Sequence, residues 1–116
     1  MRRIPVSVHG VVELVAGLAL LVAAFALDLG TAGTVLLFAG GVALAGVGFG
    51  AAESLPLAVH QSVDRALVVA LALGSVIAAI DGGELAAGVL LLAAALQLVL
   101  MGMTRWTRAP LVGRAR

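Results

Sequence analysis

Four long apolar runs dominate the pattern of hydrophobic and polar positions along the chain. They cover about residues 6–27, 34–52, 57–80 and 85–103. Each run is close to the ~20 residues that a helix needs to cross the hydrocarbon core of a bilayer, and each is apolar all round. The runs are too long for strands, lack alternation and are rich in Ala and Leu, so we expect no sheet. The pattern predicts an all-α integral membrane four-helix bundle.

Short polar segments separate these predicted helices. Residues 28–31 and 81–84 are typical of turns, and residues 53–56 end one helix and begin the next, with a proline where the first helical turn tolerates it. A signal peptide is the alternative interpretation of the first run. Because the first run shares a motif with the third, we expect it to be a helix of the folded protein instead.

The shared motif occurs twice, at an offset of 51 residues. A proline, a histidine and an acid recur in the same order, as Pro5, His9 and Glu13 and again as Pro56, His60 and Asp64. We therefore predict a single transmembrane domain, residues 1–116, built from two tandem parallel helix hairpins at 5–55 and 56–106. A pseudo-two-fold axis along the membrane normal would relate them.

The two histidines and their acids form the main candidate site. Each histidine stands four residues before its acid, which puts both side chains on one helix face about one turn apart. Gln97 lies at a similar depth, about 10 Å from the same membrane face. A charged side chain at the centre of a membrane helix costs roughly 2.5–3.5 kcal/mol. We expect the acids to find partners among His9, His60, Gln97, Arg65 and water.

Four uses of this site are compatible with its residue types. Each histidine can hydrogen-bond its own acid and so pin the helices. Two imidazoles and two carboxylates can instead bind Zn, Mn or Fe. The histidines can be paired axial ligands of a haem, or the site can pass protons or ions. No Ser-His-Asp, Walker or His-Glu-x-x-His motif occurs, so we do not expect an enzyme.

Small residues in the second run predict a helix-packing surface. They are Gly40, Gly41, Gly46 and Gly50, of which the last two form a Gly-xxx-Gly pair. Such spacing lets two membrane helices approach closely. The surface serves either packing within the bundle or contact with a second copy in a homo-oligomer.

Composition and charge strengthen the membrane assignment. The chain has 116 residues, of which 63% are hydrophobic and 11% charged, and it has no cysteine. Soluble domains carry about a quarter charged residues. A net charge of +1 without a basic stripe argues against nucleic-acid binding. Arginines and a tryptophan mark one membrane interface: Arg2, Arg3, Arg65, Arg105, Trp106 and Arg108. Arginine-rich ends stay cytoplasmic, so we expect both termini inside.

The duplicated motif also resembles a family. Pro5, Val8-His9-Gly10-Val11 and Glu13, and then Pro56, Val59-His60 and Asp64, resemble the motifs that open each helix pair in SPW-repeat-type small bacterial membrane proteins. The Ser-Pro-Trp motif itself is degenerate here, with Ala24-Phe25 and Ser75-Val76 at its two places. The resemblance implies tandem helix pairs in a bacterial inner membrane and no established activity.

These observations favour a structural or accessory scaffold. Such a protein would pack against itself or against a larger membrane complex in the lipid bilayer. The alternative is a membrane protein that binds a divalent metal or haem and has a redox, sensing or transport role. The sequence alone leaves both functions open.

Overall fold

Four helices account for most of the fold. The structure is a computed structural model that describes residues 3–52 and 56–106. The helices are α1 (Val6–Ala26), α2 (Gly30–Ala52), α3 (Leu57–Ile80) and α4 (Glu84–Met103). At 1.5 Å per residue, each is about 30 Å long or slightly more, the thickness of a hydrocarbon core. All four are long and apolar enough to cross a membrane, which confirms the predicted number of helices.

The helices pack as two hairpins, α1 with α2 and α3 with α4. The first turn is shorter than predicted, because α2 begins at Gly30 and not near residue 34. Gly30 has a φ of 71° and Gly82, in the second turn, has a φ of 82°. Glycine adopts such angles without steric cost, so each chain reversal needs few residues. Between the hairpins, α2 and α3 pack more closely than α1 and α4.

Glycines bring the backbones of α1 and α2 together. A Cβ atom on Gly48 would lie 2.5 Å from the carbonyl oxygen of Gly10, and one on Gly41 would lie 2.8 Å from that of Gly17. These two contacts are seven residues apart on each helix and therefore share one face. Only glycine fits at such close approaches.

One residue of the predicted packing surface does not take part in these contacts. A Cβ on Gly46 would meet no atom within 4 Å, so of the two predicted uses of this residue only contact with a second copy stays open. Gly46 is two residues from Gly48, which turns it by about 200° around the helix and away from α1. Gly40 instead approaches α3, where its Cβ would lie 3.1 Å from Leu71. Gly50 is half-buried.

Leucine and alanine fill the core, and large apolar side chains cover the outside. Leu37, Leu44 and Leu90 are almost completely buried. By contrast, Phe25 is 71% exposed and Ile80 is 82% exposed. Apolar exposure of this extent is unfavourable in water and favourable in hydrocarbon. The distribution is that of helices whose outer faces contact lipid tails.

Two short strands join the ends of the bundle. β1 (Ile4–Pro5) pairs in parallel with β2 (Thr104–Arg105), and Arg3 Nη1 donates a hydrogen bond of 3.3 Å to the carbonyl oxygen of Gly102. These four residues lie outside the apolar runs, which are helical as predicted. Ile4 precedes a proline, which disfavours helical backbone there and leaves the segment extended. The pairing holds the start of α1 beside the end of α4.

The predicted interface residues lie partly within the described ranges. Arg3, Arg65 and Arg105 are exposed, and Trp106 is half-buried. Arg2, Arg108 and the connector at residues 53–55 lie outside the described residues.

Candidate functional site

Two imidazoles and two carboxylates meet in the interior of the bundle. His9 and Glu13 project from α1, and His60 and Asp64 project from α3. All four side chains are 0% exposed. One ligand atom from each, an imidazole nitrogen or a carboxylate oxygen, lies within 4.8 Å of the others. The helical i, i+4 spacing brings each pair to one face, and the two pairs meet in the interior of the bundle, where His9 contacts Asp64 and His60 contacts Glu13.

The shortest contacts in this cluster run between the helices. His9 Nε2 lies 2.7 Å from Asp64 Oδ2, and His60 Nε2 lies 3.0 Å from Glu13 Oε1. The contacts within each helix, His9 to Glu13 and His60 to Asp64, are both 3.2 Å. Each histidine therefore faces both acids. The interpretation in which a histidine serves only its own acid does not describe this arrangement.

Gln97 extends the cluster to a third helix. Its side chain is on α4 and donates a hydrogen bond of 2.5 Å from Nε2 to Glu13 Oε2. Gln97 is almost fully buried, so this bond replaces the water that the carboxylate lost on burial. Arg65, another candidate partner, is exposed on α3 and is not a member of the cluster.

Thr104 orients the His9 ring, a role that sequence reasoning missed. Its hydroxyl lies 2.6 Å from His9 Nδ1 and donates a hydrogen bond of 2.6 Å to the carbonyl oxygen of Leu100. The hydroxyl has one hydrogen, so it must accept from His9 Nδ1–H. His9 Nε2 is thereby turned towards the acids. Thr104 stands seven residues after Gln97, on the same face, which is the signal that would have found it.

Trp106 covers the cluster at the end of the bundle. Its ring centroid is 4.8 Å from that of His9 and 5.6 Å from that of His60. The indole N–H donates a hydrogen bond of 3.1 Å to the carbonyl oxygen of Met101. Sequence reasoning assigned Trp106 to the membrane interface but missed its contact with both imidazoles.

The two halves of the cluster differ in their hydrogen bonding. His9 and Glu13 are bonded by Thr104 and Gln97, whereas His60 Nδ1 and Asp64 Oδ1 are buried without a partner among the described residues. Within residues 3–52 and 56–106, the half on α3 therefore has one unbonded polar atom on each of its two side chains.

The donor set suits a metal ion better than a haem. The imidazole rings are 5.2 Å apart with 75° between their planes. Axial haem ligands reach one iron from opposite faces of a porphyrin. Here each Nε2 atom instead lies 2.7–3.0 Å from a carboxylate oxygen, which leaves no space for a macrocycle. The four ligand atoms converge on a point, as metal ligands do.

No protein-family model, curated protein or solved structure matches the chain.

Proposed function

We propose that this chain is a small multi-pass protein of the bacterial inner membrane that binds one divalent transition-metal ion between α1 and α3. The observation that carries the proposal is the convergence of four fully buried ligand atoms within 4.8 Å. Both chain termini are cytoplasmic in this proposal, and the two hairpins are tandem repeats of the SPW type. Metal binding, rather than a purely structural role, becomes the leading function.

The donor set supports a divalent transition-metal ion. The four contacts between histidine nitrogens and acid oxygens measure 2.7, 3.0, 3.2 and 3.2 Å, and they reach both oxygens of Glu13. In a tetrahedral Zn²⁺ site the ligand atoms stand about 3.3 Å apart, whereas one ligand atom from each residue here lies within 4.8 Å of the others, so the side chains must adjust to hold the ion. Two imidazoles and two carboxylates suit Zn²⁺, Mn²⁺ and Fe²⁺, and Zn²⁺ binds such sites most tightly of the three.

Charge balance supports a divalent ion in particular. Two carboxylates neutralise the two positive charges of the ion, and neutral imidazoles add none. The loaded site then carries no net charge, which limits the cost of placing it in hydrocarbon. Thr104 and Gln97 act as supporting groups, because each fixes the orientation of a ligand by a hydrogen bond on its far side.

The test is equilibrium dialysis of the detergent-purified protein against Zn²⁺, Mn²⁺ and Fe²⁺, followed by elemental analysis. We expect one ion per chain, with Zn²⁺ bound most tightly. His9→Leu and His60→Leu should each reduce occupancy strongly, since both contribute ligands. Gln61→Leu, next to His60 on α3, is the matched control and should retain the ion. If the wild-type protein retains no more ion than detergent micelles without protein, the proposal is overturned.

A structural scaffold is the second candidate, and one observation favours it. Hydrogen bonds of the cluster join α1 to α3, and α1 to α4, through Asp64 and Gln97. Such bonds hold helices in register without any metal. Absence of bound metal together with lower thermal stability of His9→Leu would support the scaffold. Self-association and contact with a larger complex stay predictions of that alternative.

The orientation of the helices in the membrane can be tested with single introduced cysteines, because the chain has no cysteine of its own. Thr31 is exposed near the start of α2 and Ser7 is exposed near the start of α1, at opposite ends of the bundle. A cysteine at Thr31 should react with a membrane-impermeant maleimide in intact cells, and one at Ser7 should react only after lysis. The reverse pattern would place the arginine-rich end outside.

A further inference from the structure

A groove opens along the outside of the bundle between α1 and α4. It has a volume of about 450 Å³ and is lined by apolar side chains that include Ala16, Leu20, Leu96, Leu100 and Met103. Along α4 it extends from Val89 to Met103, about 21 Å at 1.5 Å per residue. The groove follows the helix axes and is therefore shaped for an extended chain.

Differences between the two halves of the sequence explain why this groove is open. Ala16 stands 51 positions before Leu67, which is a buried core residue on α3. Ala93 stands 53 positions after Gly40, where the missing side chain lets Leu71 approach α2. A smaller residue on α1 leaves space, and a larger one on α4 keeps the helices apart. The groove is thus built into the interface between α1 and α4.

The inner wall of the groove has no free polar group for a ligand. Glu13 and Gln97 border it, but both are buried and hydrogen-bonded to each other. The outer rim is apolar as well, since Leu92 and Val99 are more than half exposed on it. A molecule that lies in the groove must therefore be apolar along its length and must come from the hydrocarbon. A lipid acyl chain has both properties.

Two arginines stand at one end of the groove. Arg3 donates to the carbonyl oxygen of Gly102, one residue before Met103, which lines the groove. Arg105 follows two residues after Met103, and strand pairing sets it opposite Pro5. Both side chains are exposed. Guanidinium groups bind phosphate through charge and paired hydrogen bonds.

We propose that this groove is a binding site for one anionic phospholipid. An acyl chain lies between α1 and α4, and the headgroup phosphate contacts Arg3 and Arg105. The groove is longer than the ~15 Å depth of one hydrocarbon leaflet, so a chain anchored at its arginine end fits within it. Glu13 borders the groove but its side chain is buried, so the acyl chain does not displace it from the polar cluster.

Native mass spectrometry with an equimolar mixture of phosphatidylglycerol and phosphatidylcholine of identical acyl chains tests the proposal. We expect one phosphatidylglycerol to be retained roughly 25-fold over phosphatidylcholine, because each of the two arginines near a headgroup of net negative charge contributes roughly a fivefold preference. Ala16→Leu should fill the groove and abolish retention, whereas Ala95→Leu, on the exposed side of α4, should not.

A second pair of variants tests whether the arginines cause the preference for the anionic lipid. Replacing Arg3 and Arg105 together by Gln should remove the preference for phosphatidylglycerol, whereas Arg65→Gln, an exposed arginine on α3, should leave it unchanged. Equal retention of both lipids by the wild type would overturn the headgroup assignment. Retention unaffected by Ala16→Leu, or a second protein chain bound in place of lipid, would overturn the groove assignment. The arginine variants leave the helix core untouched, so they remain informative if Ala16→Leu does not fold.

Discussion

Replacing Gln97 by Met tests how much the third helix contributes to the polar cluster. Methionine has nearly the length and shape of glutamine but no amide group to donate. The substitution leaves the core volume close to unchanged and removes the 2.5 Å hydrogen bond to Glu13 Oε2. That oxygen then keeps its 3.2 Å contact with His9 Nε2.

The size of the effect follows from the burial and charge of the two partners. Hydrogen bonds to charged groups contribute about 1.5–3 kcal/mol in soluble proteins. Bonds between membrane helices average about 0.6 kcal/mol and reach about 1.7 kcal/mol. Because both Gln97 and Glu13 are buried and the acceptor is a carboxylate, we expect Gln97→Met to lower the free energy of unfolding by about 1.5 kcal/mol. For a domain of this size that corresponds to a fall in Tm of roughly 5–10 °C.

The assay is thermal unfolding in detergent with a chelator present, so that only the hydrogen bond is measured. Gln61→Met is the control, because Gln61 is half-buried on α3 and outside the cluster. Adding metal provides a second measurement, since loss of a supporting hydrogen bond lowers metal affinity about 10–100-fold. If Gln97→Met unfolds at the same temperature as Gln61→Met, the bond contributes nothing and the reasoning is refuted.

Two further substitutions test the backbone contacts and the His9 support. Gly48→Leu should destabilise the α1–α2 hairpin by about 3 kcal/mol or more, because its Cβ would lie 2.5 Å from backbone atoms of α1. Gly46→Leu is the control and should unfold like the wild type in the same thermal assay. Equal effects of the two substitutions would contradict the close approach of the helices at Gly48. Thr104→Val should lower the free energy of unfolding by about 1–3 kcal/mol, since it leaves His9 Nδ1–H unpaired. Thr104→Ser keeps the hydroxyl and should therefore retain most of the wild-type stability. If Thr104→Ser is as unstable as Thr104→Val, the hydrogen bond is not the cause.

The helices and the members of the polar site were predictable because their signals are local. Runs of apolar residues predict spans, and i, i+4 spacing predicts which side chains share a face. Which histidine meets which acid depends on how α1 and α3 pack, and no local pattern carries that information. The sequence therefore left open whether each histidine bonds its own acid or all four side chains converge, whereas the shortest contacts cross from His9 to Asp64 and from His60 to Glu13.

Residues near the chain ends were the least predictable part of the site. Thr104 and Trp106 reach the imidazoles because β2 pairs with β1, and a two-residue strand has too few positions to show alternation. The sequence also does not show which glycines of α2 contact α1, for a related reason. Gly46 and Gly50 have the familiar four-residue spacing, but the orientation of α2 decides which face meets α1, and that face carries Gly41 and Gly48.

The polar cluster also constrains the order in which the protein can be assembled. If the helices insert into a membrane in chain order, Glu13 enters with the first hairpin, whereas its partners His60 and Gln97 follow it by 47 and 84 residues. Until the second hairpin inserted, the acid would lie in hydrocarbon without its cross-helix bonds, and a chain that stopped after α2 would never gain them. The first hairpin alone would therefore lack part of what stabilises the finished protein.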